Sequence, residues 1–273
     1  MATLKNLRLL LLAVPLVMQM ACSKEEAPTA VQIQTQSKLF FCNIINASSK
    51  STNIYCSASL YSDPAADSSQ SFLYINDMLA PTARVEIGAL YFSFGIWSSL
   101  DFDTAKVRLV SDQGNCSGSI LLPQKAILVT PQPNDTLPFT NTLQCIWRKS
   151  SNTEWYYYYF LAYPYDSMGN ALMSNGGLEG HTYDTTLTIP QSYLSITNAS
   201  YFNIYFALYS MAGPIPSAGV KGNMIGTING FLTCQGGNSA YGFYIGTPVG
   251  AKTKSMSLKP AHTMQDWYIN QLK

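Results

Sequence analysis

"NASYFNIYFALYSMAGPIPSAG", residues 198–219, carries two interleaved side-chain patterns that only an extended strand can separate. Counting every second residue from Phe202 gives Ile204, Phe206 and Leu208, all strongly apolar. Counting from Tyr201 gives Asn203, Tyr205 and then Ala207 and Tyr209. A strand turns alternate side chains to opposite faces, so one set must face the core. Burying Asn203 without a partner would cost about 1–3 kcal/mol. The Phe202 set is therefore assigned to the interior, and Tyr201, Asn203, Tyr205 and Tyr209 to the opposite face. The Gly-Pro-Ser-rich end of the stretch ends the strand in a loop.

Working outward, "LQCIW" (143–147) reads as a strand with Leu143, Cys145 and Trp147 on one face. "EWYYYYFLAY" (154–163) reads as the next, and "YDTTLTIPQSYL" (183–194) contains a strand stopped by Pro190. Upstream, short apolar runs alternate with Ser/Asn/Asp/Gly/Pro clusters. They predict strands over 39–45, 53–61, 72–75, 85–94, 106–111 and 117–122. In the first two, Phe40, Cys42, Ile44 and then Ile54, Cys56, Ala58 and Leu60 face inward. Spacing near ten residues is that of a sandwich. The composition agrees. Tyrosine is abundant, at 18 residues, and charged residues make up only 11% of the 273, well below the usual share of about 25%. A net charge of +1 offers no basic surface for nucleic acid.

The order of segments from 127 to 235 resembles a fibronectin type III domain. The resemblance rests on a Trp in the second strand, a Tyr-rich third strand, a Thr-Leu-Ile-Pro turn leading to Leu194, and the alternating strand with its Gly-Pro-Ser loop. It implies an antiparallel sandwich in which the third and sixth strands are neighbours. The family's inward tyrosine at the start of the sixth strand is missing here. The expected fold is all-β, with two tandem antiparallel β-sandwich modules of immunoglobulin/fibronectin III-like type, at 38–124 and 125–235. An extension at 236–273 follows. In it "SAYGFYIG" is a candidate strand, and Thr263 caps a short helix whose stripe is Met264, Trp267, Tyr268 and Leu272.

The first 37 residues read as an export and anchoring region. Lys5 and Arg8 precede an apolar run over residues 9–17, too short to span a bilayer, which takes about 20 residues. Ala21 followed by Cys22 resembles the lipobox of bacterial lipoproteins, although Gln19 stands where Leu is usual. Cleavage after residue 21 and acylation of Cys22 are what the resemblance implies. Lys24, Glu25 and Glu26 resemble the signal that sends such lipoproteins to the cell exterior. Residues 22–37 then form a polar tether, and the protein is expected on the outer membrane, lipid-anchored and facing outward.

Five cysteines follow Cys22, an odd number, so at least one stays free or pairs outside the chain. Cys42 with Cys56, and Cys145 with Cys234, are the candidate disulfide partners, and buried free thiols are the alternative. Catalytic chemistry finds little footing. His181 and His262 are far apart and form no zinc motif, and there is no Gly-x-Ser-x-Gly elbow. The carboxylate pairs Asp63/Asp67 and Asp101/Asp103 read as solvated turn residues rather than calcium ligands. No catalytic residue, metal site or cofactor is assigned. The remaining feature is aromatic. Trp155 to Phe160 supply three outward rings whichever set is buried, either Trp155, Tyr157 and Tyr159 or the alternate three. With Tyr201, Asn203, Tyr205 and Tyr209 they would form one face suited to a glycan or an extracellular protein. The expected function is a non-catalytic binding or adhesion module. The alternative is a spacer or accessory subunit of a surface polysaccharide-degrading system.

Overall fold

A computed structural model describes residues 38–46, 53–62, 64–80, 83–86, 89–97, 103–139, 142–215 and 220–249. Cys22, Lys24, Glu25, Glu26, Asp63, Asp101, His262 and the stripe of Met264, Trp267, Tyr268 and Leu272 lie outside the described residues. The protein is all-β. In chain order its strands are β1 (Lys38–Asn46), β2 (Asn53–Ser62), β3 (Phe72–Ile75), β4 (Met78–Leu79), β5 (Ala83–Glu86) and β6 (Ala89–Trp97). Then come β7 (Thr104–Ser111), β8 (Gly114–Leu121), β9 (Ile127–Thr130), β10 (Thr136–Leu137) and β11 (Leu143–Arg148). The chain continues with β12 (Trp155–Tyr165), β13 (Gly177–Thr182), β14 (Thr186–Ile189), β15 (Tyr201–Ala212), β16 (Ile225–Gly226) and β17 (Asn229–Ile245). No helix among the described residues is long and apolar enough to cross a membrane.

Among the described residues one nine-stranded sheet draws strands from both halves, in the order β13-β12-β15-β17-β1-β2-β6-β5, with β10 beside β17. A five-stranded sheet, β16-β8-β7-β3-β4, and a three-stranded sheet, β14-β11-β9, complete the two sandwiches. Strand β17 links the two halves. Its first part pairs in parallel with β1, from Leu39↔Asn229 to Asn46↔Gly236, and its last part pairs antiparallel with β15, as far as Phe202↔Ile245. The expected boundary at 235 therefore falls inside β17, and "SAYGFYIG" continues that strand rather than starting a new one. The run 85–94, read as a single strand, is divided between β5 and β6, which pair antiparallel.

Two cores follow from the alternation. Phe40, Cys42, Ile44, Leu60, Leu109 and Leu232 belong to the first. Trp147, Phe160, Phe202, Ile204, Phe206 and Leu208 belong to the second. The Phe202 set is thus inside, every member at 0–1% exposure. Trp147 meets Tyr156 edge-on at 5.4 Å and Phe206 at 6.4 Å. The Tyr241 hydroxyl donates to the Ala126 carbonyl at 3.2 Å and accepts from the Leu128 amide at 3.0 Å.

All five described cysteines are buried free thiols. Cys145 and Cys234 cannot pair as expected, because Cys145 lies in the second core and Cys234 in the first. Cys42 and Cys56 do meet, with Sγ atoms 3.5 Å apart in a thiol contact across β1 and β2. Burial, then the neighbouring Cys56 thiol, pushes the Cys42 pKa well up.

Candidate functional site

The outer face of the large sheet is ordered in rows by the pairing of β12 with β15. Going along the strands, Trp155 faces Met211, Tyr157 faces Tyr209, Tyr159 faces Ala207, Leu161 faces Tyr205, Tyr163 faces Asn203, and Tyr165 faces Tyr201. On the other side of β15, Tyr244 stands beside Asn203 and Gly242 beside Tyr205. Every residue the sequence reading placed on this face is on it. The open choice in the third strand resolves to Trp155, Tyr157 and Tyr159, because Tyr156 and Phe160 fill the second core.

Facing outward is not the same as being exposed. Trp155, Tyr157, Tyr159, Tyr201 and Tyr209 are all at most 8% exposed, so the expectation of an open platform built on them is corrected. The reason is the continuity of the sheet. Phe41 on β1 and Phe231 on β17 lie on the same face and join Trp155, Tyr157, Tyr209 and Met211 in a third apolar cluster. Their polar atoms are used internally. The Trp155 indole N–H donates to the Gly213 carbonyl at 2.8 Å, and the Tyr157 hydroxyl donates to Glu179 Oε2 at 3.0 Å. Burial, then the Glu179 charge, drives the Tyr157 phenol far up, and burial lifts Tyr209 to about 12. Tyr201 lies flat against Tyr165, rings 4.9 Å apart and 5° from parallel.

The face opens toward its other end. Leu161, Tyr163, Asn203, Tyr205 and Tyr244 are half-buried, and Gly242 is exposed. A Cβ built on Gly242 would meet nothing closer than the Ile204 carbonyl at 4.0 Å, so a shallow dip separates Tyr205 from Tyr244. Tyr205 stands edge-on to Tyr159 at 6.4 Å. Burial first, then neighbouring phenols, raises the pKa values of Tyr163 and Tyr205, so both hydroxyls stay protonated donors at neutral pH. Tyr163 and Tyr244 were missed in the sequence. The signal for Tyr163 was there, since it continues the period-2 set of Trp155, Tyr157 and Tyr159. Tyr244 becomes a member only through its register with Asn203.

The groups with catalytic potential are dispersed. His181 on β13 is exposed, its ring edge-on to Trp155 and Tyr183, at 6.1 Å from each. Asp67 caps a short 3-10 turn, accepting from the Ser69 amide and hydroxyl at 2.8 Å each. These bonds, the Ser69 hydroxyl first, hold its carboxyl below the usual range. Among the described residues no group of three His, Cys, Asp or Glu side chains could hold a metal ion.

No protein-family model matches the chain, and no curated protein sequence matches it. Among solved structures it is similar to the fibronectin(III)-like modules of Clostridium thermocellum CbhA. The identity is 10% over 81% of this chain and 94% of that one, and the TM-score is 0.25.

Proposed function

We propose that this chain is a non-catalytic binding module, lipid-anchored through Cys22 at the outer membrane and turned to the cell exterior. Its ligand face is the open end of the aromatic rows. The observation that carries this reading is the half-buried set Tyr163, Asn203, Tyr205 and Tyr244 around the dip at Gly242. Partly exposed phenol rings give a flat apolar surface with hydroxyl donors at the edges, and Asn203 adds an amide that both donates and accepts. That combination suits a pyranose ring, with its apolar face and equatorial hydroxyls. A glycan is therefore the ligand class, and an extracellular matrix glycoprotein is a natural carrier of it. Each ring contributes about 0.5–1.5 kcal/mol, so affinity for a single sugar is weak and grows with chain length.

The test is a glycan array probed with the full chain and with Asn203→Ala. Binding of a glycan family by the wild type, reduced in the variant, supports the reading. An array on which the wild type binds nothing overturns it. A second reading has one observation in its favour. The nine-stranded sheet passes unbroken through both sandwiches, which makes a stiff body fit to act as a spacer or accessory subunit on the cell surface.

A further inference from the structure

We propose that residues 263–273 of this chain dock as an amphipathic helix on the open end of the aromatic face, over Tyr163, Tyr205 and Tyr244, and compete there with the glycan. The competition rests on the ligand reading above, and the docking stands without it. The helix is the one expected from the sequence, capped at Thr263, with Met264, Trp267, Tyr268 and Leu272 along one stripe. A helix of about ten residues is marginal by itself, so it forms only with an apolar surface under that stripe. Over residues 264–272 it would be about 14 Å long. The rows of the face from Tyr201 to Tyr205 cover about the same distance, at about 3.4 Å per residue.

The chain delivers this segment to that surface. Strand β17 ends at Ile245, beside Phe202 at the start of β15. A Cβ built on Gly169 would sit 3.5 Å from the Val249 carbonyl and 3.9 Å from the Tyr201 hydroxyl. Tyr201 alternates with the buried Phe202 and belongs to the outward set, so by Val249 the chain has turned to the aromatic side of the sheet, at its open end. Residues 250–259 are mostly Gly, Ala, Ser, Thr and Lys, the composition of a linker. Extended, residues 250–262 reach up to about 40 Å, more than enough to bring the stripe back over Tyr205. A tether of this length holds the segment at an effective concentration on the order of millimolar, so weak contacts are enough to seat it. A segment from another protein would have to displace one already tied to the same end.

The two partners also match in polarity and charge. Met168, Val249 and Phe139 are 79%, 52% and 49% exposed. Met168 adjoins Gly169, and the Phe139 ring is 5.7 Å from that of Phe202, so all three cluster at this end of the sheet. Together with the half-buried rings around the dip at Gly242 they give the apolar stripe a surface to cover, the arrangement of a helix laid in a groove. Residues 250–273 carry Lys252, Lys254, Lys259 and Lys273 against Asp266 alone. Strands β12, β15 and β17 contain no Lys or Arg. The charged residues bordering the open end are acidic. Asp166 follows β12 directly, and Asp135 accepts the Tyr244 amide on its carbonyl at 2.8 Å. A basic segment therefore meets an acidic border and no repelling cation in the strands beneath it.

The test is photo-crosslinking in the full chain, with p-benzoylphenylalanine in place of Tyr205 and, as a control, in place of Tyr183. Illumination should join position 205 to a peptide within residues 263–273 of the same chain, and position 183 should give no such product. Trp267→Ala with Leu272→Ala should reduce the yield severalfold. If the chain does not fold with the probe at position 205, acrylamide quenching decides. The emission difference between wild type and Trp267→Phe should then be that of a shielded indole, and of an open one in the Tyr205→Ala/Tyr244→Ala background. With the segment released, Trp267→Ala/Leu272→Ala should bind the best array glycan at least about threefold more tightly than the wild type. Crosslinks that are absent or fall elsewhere, or a freely quenched Trp267, overturn the docking. Crosslinks that join two chains overturn it in favour of a second copy of this chain. Equal glycan affinity with the crosslink in place overturns the competition. A crosslink with no glycan bound by either protein supports the docking and removes the ligand reading instead.

Discussion

Two buried tryptophans allow a controlled test of the second sandwich. Trp147 and Trp155 are each 2% exposed. They differ in how the indole N–H is used. The Trp155 indole N–H is bonded to the Gly213 carbonyl at 2.8 Å, whereas the Trp147 indole N–H is buried with no partner. Replacing either by Phe removes the same atoms, so the lost packing nearly cancels in the comparison, at about 1–2 kcal/mol each. For Trp147→Phe the change also removes an unsatisfied buried donor, which offsets about 1–2 kcal/mol and leaves a net cost near about 0–1 kcal/mol. For Trp155→Phe the hydrogen bond is lost and a buried carbonyl is orphaned, so the total cost is about 2–4 kcal/mol. Trp147→Ala, by contrast, should cost about 3–5 kcal/mol, because it empties the centre of the core. Urea unfolding followed by far-UV circular dichroism measures all three. A Trp147→Phe variant as unstable as Trp155→Phe, or a Trp147→Ala variant as stable as the wild type, would refute the packing account.

Three further outcomes are expected. Burial raises the Cys116 and Cys145 thiols to about 12 each, above their ordinary value of 9.0. The folded state therefore keeps protons that the unfolded chain releases. Stability is complete below about pH 9 and falls as pH rises toward about 12, by up to about 1.4 kcal/mol per pH unit per thiol. Urea midpoints in reductant at pH 8 and pH 10 should show the loss, and Cys145→Ala should make it shallower; an unchanged slope would contradict the burial of that thiol. Gly213 has φ +88, and a Cβ there would sit 2.4 Å from the Leu232 carbonyl, so Gly213→Ala should cost at least about 2 kcal/mol. Gly242→Ala, with open space above it, should cost nothing measurable, and equal melting points for the two variants would show the backbone reading to be wrong. Metabolic labelling with a fatty-acid analogue should tag the wild type and not Cys22→Ala. Replacing Lys24, Glu25 and Glu26 by Ala should keep the lipid but remove protease accessibility on whole cells.

What the sequence revealed was what local alternation encodes. Phe202, Ile204, Phe206 and Leu208 are separable from Tyr201, Asn203, Tyr205 and Tyr209 because a strand has a period of two and Asn203 is costly to bury. Trp147 was placed in the core by its spacing from Leu143 and Cys145. The burial of Tyr157 and Tyr209 was not legible. It depends on β1 pairing in parallel with β17, which brings Phe41 and Phe231 onto the same face from opposite ends of the chain. No short window of sequence carries that register. Tyr244 was hidden for the same reason, since its place beside Asn203 is fixed by long-range pairing.

The central claim is that the open end of the aromatic face, and not its buried end, holds the ligand. Calorimetric titration of the best array glycan into the wild type, Tyr205→Ala/Tyr244→Ala and the control Tyr183→Ala tests it most directly. Tyr183 is 69% exposed and stands beside His181, which contacts Trp155, at the end of the face away from Tyr205 and Tyr244, so its variant should bind as the wild type does. Losing two stacking rings at about 0.5–1.5 kcal/mol each should weaken the double variant by about fivefold or more while its circular dichroism spectrum is unchanged. A folded Tyr205→Ala/Tyr244→Ala variant that binds the glycan with wild-type affinity would contradict the account.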